Sequence, residues 1–257
     1  MIHKSIDINS DIGESFGTYK LGSDTEICKY VSSVNIATGF HAGDPNCMYE
    51  TVLVANKNNL GIGANPAYQD LVGFGRREMS ISYEDIYNLM TYQIGALSAF
   101  TKDHKIQHVK PHGALYNSAV SNKLVAEAVV NSIYDYDPNV IHVVLAGSEW
   151  ENIAKSRGVM VARECYADRA INSDGTLVSR KIDKAVIHEP SEVIDRSLKL
   201  VLDHKVETID GDQIDFEADT ICVHGDTKGS VELAKLIRIE MEKNSIKIDK
   251  MSNILRN

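Results

Sequence analysis

Short β-rich runs alternate with longer stretches of helical periodicity along almost the whole chain. The predicted strands are KSIDIN, SSVNIA, GIGAN, IQHVKP, VIHVVLAG, VMVAREC and TICVHG. The predicted helices cover roughly residues 24–32, 46–59, 83–103, 121–135, 148–157, 190–204 and 228–243. Because such alternation is typical of right-handed βαβ units, it predicts a parallel sheet. About seven units in one chain favour a single closed (β/α) barrel over two domains, with an open doubly wound sheet as the alternative.

No Pro-, Gly- or Ser-rich linker, low-complexity run or internal repeat divides the 257 residues. We therefore expect one α/β barrel domain over residues 1–243, followed by a loose C-terminal tail over residues 244–257. Residues 164–188 and 205–218 are longer connections, which we expect to add hairpins or a lid.

Charge and hydropathy exclude several classes of partner. The formal net charge of −9 and the pI near 5.5 argue against nucleic acid, because proteins that bind a phosphate backbone need a basic face. No apolar run is long enough to span a bilayer, and the opening MIHKSIDINSDIGE has no apolar signal core. We therefore expect a cytoplasmic protein without a membrane partner. The four cysteines are scattered without a CxxC pair, which favours reduced, structural thiols.

Polar side chains follow most of the predicted strands. In a parallel barrel the C-terminal ends of the strands converge on one mouth, so these side chains predict a single site. In chain order they are Asp7, Asn9, Asp11, Glu14, His41, Asp44, Asn65, Asp70, Arg76, Arg77, Lys110, His112, Tyr116, Glu164, Asp168, Arg169, His224 and Asp226. Histidine recurs at three corresponding strand ends, which favours function over a purely structural role.

The first strand carries alternating polar residues, Asp7, Asn9 and Asp11. The isoleucines between them would face the helices, which places the polar row inside the barrel. Buried carboxylates are costly unless they are paired or bound to metal, so this row indicates a functional interior. By contrast, Asp44 before Pro45 is typical of a helix N-cap followed by proline in the first turn.

The role of Lys110 stays open at this stage. Among carboxylates it would be a charged partner, whereas in an apolar pocket its pKa would fall and it could act as a base. A packed stem with its ammonium in solvent is equally compatible with the strand pattern. Arg76 and Arg77, in GFGRR, are either a solvated pair or a clamp for a carboxylate.

Eight motifs in a fixed order resemble the LamB/YcsF family from about Ile6 to Met241. They are DINSDIGESFG, NIATGFHAGDP, GANPAYQDLVGFGRR, YQIGAL, VKPHGALYN, ECYADR, DGTLVSR and ICVHGD. The resemblance implies a seven-stranded β/α barrel similar to the glycoside hydrolase/deacetylase barrels. It also implies ATP-dependent opening of the 5-oxoproline (pyroglutamate) lactam to L-glutamate, together with 5-oxoprolinase subunits B and C.

For that chemistry we expect general acid–base catalysis by Asp11 or Glu14 with His41 and His112. Lys110 or Arg169 would offset developing negative charge, and Arg76 or Arg77 would hold the substrate carboxylate. The full set of expected catalytic residues is Asp11, Glu14, His41, Lys110 and His112. The expected substrate-binding residues are Asn9, Arg76, Arg77, Glu164, Asp168, Arg169, His224 and Asp226.

The chain has no GxxxxGK[ST] loop, so we expect ATP to be used by the assembly, with a partner subunit performing the phosphorylation. The family usually has histidine where this sequence has Asn65, and the related deacetylases bind metal through an aspartate and two histidines. Asparagine suits hard cations better than zinc. We therefore expect no tight zinc site, with Asp11 and His41 as candidate ligands of a divalent cation.

Two other functions remain as alternatives. One is a stand-alone metal-dependent amidase or deacetylase, which would turn over without ATP. The other is a non-catalytic subunit that binds the lactam or its partners. Barrels host many chemistries, so the fold by itself does not choose among the three.

Overall fold

The computed structural model describes residues 4–179, 181–223 and 229–256. Its strands are β1 (Ser5–Ile12), β2 (Ser33–Ala37), β3 (Gly61–Asn65), β4 (His108–Val109), β5 (Ile141–Leu145), β6 (Val161–Tyr166), β7 (Lys205–Glu207), β8 (Gln213–Asp215), β9 (Thr220–Cys222) and β10 (Lys247–Ile248). Its α-helices are α1 (Asp24–Ile27), α2 (Pro45–Lys57), α3 (Tyr83–Ser98), α4 (Gly113–Ser121), α5 (Lys123–Tyr136), α6 (Glu149–Arg157), α7 (Pro190–Asp203), α8 (Ser230–Lys243) and α9 (Met251–Ile254). A 3₁₀ turn spans Lys102–His104.

Seven parallel strands close into a barrel. The order is β1-β2-β3-β4-β5-β6-β9, and β9 pairs back to β1. The predicted seven-stranded parallel barrel is therefore confirmed, and the open doubly wound sheet is excluded. As expected for the connection over residues 205–218, β7 and β8 form an antiparallel hairpin outside the barrel.

The alternation in β1 divides the barrel interior from the hydrophobic layer under the helices. Ile6, Ile8 and Ile12 are fully buried in the main hydrophobic core. Asp7 and Asn9, on the other face of the strand, contact the side chains of Thr220 on β9 and Glu164 on β6 inside the barrel. The polar row inside the barrel is thus confirmed, and it makes this interior polar where a closed barrel is usually filled by branched apolar residues.

Helix starts follow the capping chemistry of the sequence. The Asp44 side chain accepts hydrogen bonds from the backbone N–H groups of Asn46 and Cys47, with Pro45 in the first turn of α2. Asp44 also accepts from the backbone N–H of Gly17, which ties the loop after β1 to α2. Among the described residues, none of the helices combines the length and the apolar character needed to cross a lipid bilayer.

Two segments differ from the expectations. Helix α4, whose inner face is buried, begins directly at Gly113, within a segment that the sequence pattern assigns to a strand end and its loop. Residues 244–256 pack on the barrel instead of forming a loose tail. Strand β10 pairs with β1, and Met251 is fully buried against Ile141 and Val143 at the N-terminal ends of the strands. The pairing of β10 with β1 and the burial of Met251 both favour this docking.

Asp7 is buried at the end of the interior opposite the mouth. Its carboxylate accepts hydrogen bonds from the hydroxyls of Ser32 (2.7 Å), Ser33 (2.6 Å) and Thr220 (2.5 Å). Burial nevertheless raises the pKa of Asp7 from 3.8 to about 6, and the hydrogen bonds offset only part of that effect.

A raised carboxyl pKa stabilises the fold below the unfolded-state pKa, and that stabilisation is lost as pH rises through about 6. The whole effect is about 3 kcal/mol, of which about 2 kcal/mol falls between about pH 4.5 and about pH 7.5. We therefore expect the wild type to lose about 2 kcal/mol of unfolding free energy relative to Asp7→Asn over that interval. Urea unfolding at both pH values measures it. The exposed Asp210→Asn is the control, and a pH-independent difference for Asp7→Asn would contradict the assignment.

Candidate active site at the mouth of the barrel

The loops after β1, β2 and β4 bring Glu14, His41 and His112 together. The rings of His41 and His112 stack with centroids 3.9 Å apart and planes 6° apart. Glu14 Oε1 lies 3.5 Å from His41 Nε2 and 3.8 Å from His112 Nδ1. Asp11 Oδ2 lies 3.3 Å from the same nitrogen of His112. Four of the five expected catalytic residues therefore meet at one point.

The GFG segment after β3 covers the two histidines. The Phe74 ring meets His41 and His112 edge-on, with centroids 5.6 and 5.4 Å away. Gly75 lies directly against them, since a Cβ there would come within 2.8 Å of the His41 Cβ. Gly75 also has a φ of +64°, which glycine adopts without strain. The sequence GFG thus places an aromatic lid on the imidazole pair.

Both nitrogens of His112 face oxygen atoms. Nε2 lies 3.2 Å from the Phe74 carbonyl, and Nδ1 faces the carboxylates of Asp11 and Glu14. A neutral imidazole carries only one N–H, so it can donate to only one side.

His41 is buried completely, and neither of its ring nitrogens has a hydrogen-bond partner among the described residues. Burial, together with the nearby His112, holds the pKa of His41 well below its usual value. The ring is therefore neutral at physiological pH, with a lone pair for a proton or a metal ion.

Lys110 lies beneath these residues, enclosed in the barrel. Its Nζ is 2.9 Å from Glu164 Oε1, 3.2 Å from Asp11 Oδ1, 3.3 Å from Asn9 Oδ1 and 3.0 Å from Cys222 Sγ. Burial alone would lower the pKa of Lys110, but the neighbouring acidic groups outweigh it and raise the pKa well above its usual value. Of the three roles left open by the sequence, the structure supports the charged partner.

Aromatic side chains form one wall of this interior. The Lys110 Nζ lies 5.3 Å from the centroid of the Tyr166 ring. Tyr116 is edge-on to both Tyr166 and Trp150. Burial raises the pKa of Tyr116 and of Tyr166 well above the usual value, so both hydroxyls keep their protons.

The other expected site residues have varied positions. Arg77 forms a bidentate pair with Asp70, so its fork already holds a carboxylate of the chain. Arg169 donates to the backbone carbonyls of Ala185 and Val178, anchoring the connection after β6. Arg76 lies at the mouth with its guanidinium 5.2 Å from the Phe74 ring centre. Further members of the expected set are the buried residues Asn9, Glu164 and Asp168, while His224 and Asp226 lie outside the described residues.

Sequence reasoning missed several interior residues, notably Asn35, His108 and Cys222. All three are completely buried and belong to the hydrogen-bond network around Lys110 and Asp11. The signal for Asn35 was present, because Ser33 and Asn35 alternate with apolar residues in β2 as the polar residues do in β1. Cys222 had no comparable signal.

Glu14, His41 and His112 could hold a metal ion, because their ligand atoms all lie within 4.8 Å of one another. Two imidazoles and a carboxylate suit a divalent transition ion, and the unpartnered nitrogens of His41 fit a ligand role. This set differs from the expected pair of Asp11 and His41. Asn65 instead donates its amide to the Lys110 carbonyl oxygen.

Two open grooves lie away from this centre, beside α7. One of about 750 Å³ follows residues 181–192, and the other, of about 550 Å³, lies between α7 and β7. The second is lined by residues of both charges, including Arg196, Lys199 and Glu207. The reactive groups converge at the mouth, so we place the candidate active site there and not in these grooves.

A closed seven-stranded barrel with carboxylates, imidazoles and a buried ammonium at its C-terminal strand ends defines a β/α-barrel protein with an enzyme-like centre. The model of the LamB/YcsF family matches residues 6–256. The chain belongs to this family, as its motifs indicated.

Named relatives match the chain over nearly its full length. The A subunit of 5-oxoprolinase from Campylobacter jejuni subsp. doylei is 49% identical over 252 residues, covering 97% of this chain and 99% of that protein. The corresponding 5-oxoprolinase A subunit from Pyrococcus furiosus is 49% identical over 253 residues, covering 98% of this chain and 99% of that protein.

Solved structures share the fold. The crystal structure of the lactam utilization protein from Thermus thermophilus superposes with a TM-score of 0.91 at 40% identity, covering 95% of this chain and 99% of that one. The T48 deacetylase solved with substrate has a TM-score of 0.51 at 11% identity, covering 99% of this chain and 92% of that one, and shows the likeness of fold alone.

Replacing Lys110 with methionine would leave Asp11 and Glu164 without their buried cation. We expect a loss of roughly 3–5 kcal/mol of unfolding free energy, because an uncompensated buried charge is costly. Urea unfolding followed by circular dichroism measures it. The control is Lys235→Met, which removes an exposed ion pair with Glu232 on α8 and should cost no more than about 1 kcal/mol. Equal losses for the two variants would contradict the role assigned to Lys110.

Proposed function

We propose that this chain opens the lactam ring of 5-oxoproline to give L-glutamate, as the A subunit of an ATP-dependent 5-oxoprolinase. The names of its relatives and of the T. thermophilus protein support the proposal. The observation that carries it is the contact of a fully buried imidazole, His41, with the Glu14 carboxylate and the His112 ring at the mouth of the barrel.

Lactam hydrolysis needs a base for the attacking water and an acid for the departing nitrogen. We assign the base to His41, which burial keeps neutral, with Glu14 3.5 Å away to stabilise the protonated ring. Water forms a new C–O bond at the ring carbonyl carbon, the C–N bond breaks, and the nitrogen takes a proton to become the amino group of glutamate. We assign the donation of that proton to the pair Asp11 and His112, whose Oδ2 and Nδ1 atoms lie 3.3 Å apart.

The remaining residues orient the substrate and hold the charges. Arg76, at the mouth above Phe74, is our candidate for the carboxylate of 5-oxoproline, because a guanidinium fork matches a carboxylate. Phe74 would shield the reacting groups from bulk water. Lys110 pairs with Asp11 and Glu164 from below, and this role replaces the direct contact with substrate that its strand-end position suggested.

We assign the use of ATP to the partner subunits B and C. A lactam is a resonance-stabilised amide, and phosphorylation of its oxygen makes the ring carbon a stronger electrophile. When water attacks that carbon and the C–N bond breaks, the phosphoryl group stays on the new carboxyl group as an acyl phosphate, and a second water releases it as inorganic phosphate. The sequence contains no GxxxxGK[ST] loop, so this barrel is assigned the water attack and its partners the phosphoryl transfer.

The same three residues favour a second candidate function, a metal-dependent amidase or deacetylase that acts alone. In that case Glu14, His41 and His112 hold a divalent cation, and Asp11 becomes the base. Such an ion supplies Lewis-acid polarisation of the carbonyl oxygen when it is bound. The two functions differ in their need for ATP and for partner subunits.

Glutamate release from 5-oxoproline tests the proposal, using the chain alone and with subunits B and C, each with and without ATP and EDTA. We expect turnover only with partners and ATP. In that assembly His41→Ala should lower kcat at least about 100-fold, the usual contribution of a general base. His104→Ala, on a surface turn, is the matched control and should keep wild-type kcat.

Turnover by the chain alone, independent of ATP and abolished by EDTA, would replace the proposal with the stand-alone hydrolase. Normal activity of the assembly containing His41→Ala would show that His41 is not catalytic. It would favour a subunit that binds the lactam or its partners.

A further inference from the structure

A row of buried side chains crosses the barrel beneath Asp11. The Asn35 Nδ2 donates to Asp11 Oδ1 at 2.8 Å and to Asn9 Oδ1 at 2.7 Å. The Asn35 Oδ1 lies 2.7 Å from His108 Nε2. Asn35 and His108 are completely buried, and neither was expected to contribute to the site.

The chemistry of these groups allows only one direction of donation. An ionised Asp11 carboxylate can only accept, so the amide nitrogen of Asn35 must face it and the amide oxygen must face His108. His108 therefore carries its proton on Nε2. Its Nδ1 is then an acceptor, and the Gln107 Nε2 lies 3.1 Å away as the donor.

The row continues to the last helix of the chain. The Oε1 of Gln107 accepts from the hydroxyl of Ser252 in α9 at 3.0 Å. Donation thus runs from Ser252 through Gln107, His108 and Asn35 to Asp11. Burial, together with Lys110, lowers the pKa of His108 to about 3, which agrees with a neutral ring carrying one N–H.

A glycine in the neighbouring strand makes room for the His108 ring. A Cβ on Gly63 would come within 2.2 Å of His108 Nε2, so any other residue there would push the ring away from Asn35. The position of the ring inside the barrel is therefore built into β3 as well as β4. This observation does not depend on the hydrogen-bond assignment.

This row of hydrogen bonds fixes the orientation of the Asp11 carboxylate. Oδ1 is held by Asn35 at 2.8 Å and by Lys110 at 3.2 Å, and Oδ2 faces His112 Nδ1 at 3.3 Å. Rotation of the carboxylate would break two contacts at once. We propose that Asn35 and His108 are positioning residues, which fix one direction of hydrogen bonding through the barrel and so present a single oxygen of Asp11 to His112.

This inference rests on the proposed function only where it concerns turnover. Asn35→Asp keeps the shape but removes the donor to Asp11, and His108→Leu removes the donor to Asn35. We expect each to lower kcat of the reconstituted assembly roughly 100-fold while KM changes less than about threefold, because misplacement of a catalytic group mainly affects the chemical step. His108→Gln offers an N–H to Asn35 and should recover most of kcat.

A second measurement is independent of turnover. In the wild-type chain labelled with ¹⁵N-histidine, NMR should show His108 as the neutral Nε2–H form, assigned by the loss of its signals in His108→Gln. The Nδ1–H form or a doubly protonated ring would overturn the proposed direction. Wild-type kcat in folded Asn35→Asp and His108→Leu would overturn the positioning role. If the wild-type assembly does not release glutamate, the proposed function fails while the NMR result still decides the direction.

Discussion

Lys110 carries a positive charge inside the barrel, between the carboxylates of Asp11 and Glu164. Without it the two carboxylates would have no buried cation beside them, and an unpaired buried charge is far more costly than a buried pair. The side-chain amides of Asn9 and Asn35 donate further hydrogen bonds to Glu164 and Asp11, respectively. The interior of a closed barrel is usually apolar. In this barrel, Lys110 and the amides allow Asp11 to lie beneath the mouth.

The neutral imidazole of His41 lies at the mouth of the barrel, and the charged ammonium of Lys110 lies deeper inside it. His41 is buried near Phe74 without a hydrogen-bonded partner among the described residues and keeps its lone pair, whereas the ammonium of Lys110 is surrounded by acceptors. At the mouth, the GFG segment covers both histidines through the ring of Phe74. The likeness to the T48 deacetylase extends to the fold alone, so the chemistry is argued from these residues and from the family.

Alternation of strands and helices predicted about seven βα units and favoured a closed barrel over an open sheet, and the family resemblance implied seven strands. The period of β1 was enough to predict the polar interior. The strand-end rule also brought His41, His112 and Glu14 to one mouth. It could not distinguish Arg76 from Arg77, because the pairing of Arg77 with Asp70 depends on the path of the loop. Nor could it find the docked α9, because the apolar surface that buries Met251 is assembled from strands far apart in the sequence.

The central claim is that the lactam binds and opens at the mouth of the barrel. The most direct test is a crystal structure of the chain, alone or with its partner subunits, soaked with 5-oxoproline. The account predicts the lactam ring beneath Phe74, with its carbonyl against His41 and His112 and its carboxylate toward Arg76. A lactam bound instead in the groove between α7 and β7, with the mouth unoccupied, would contradict it.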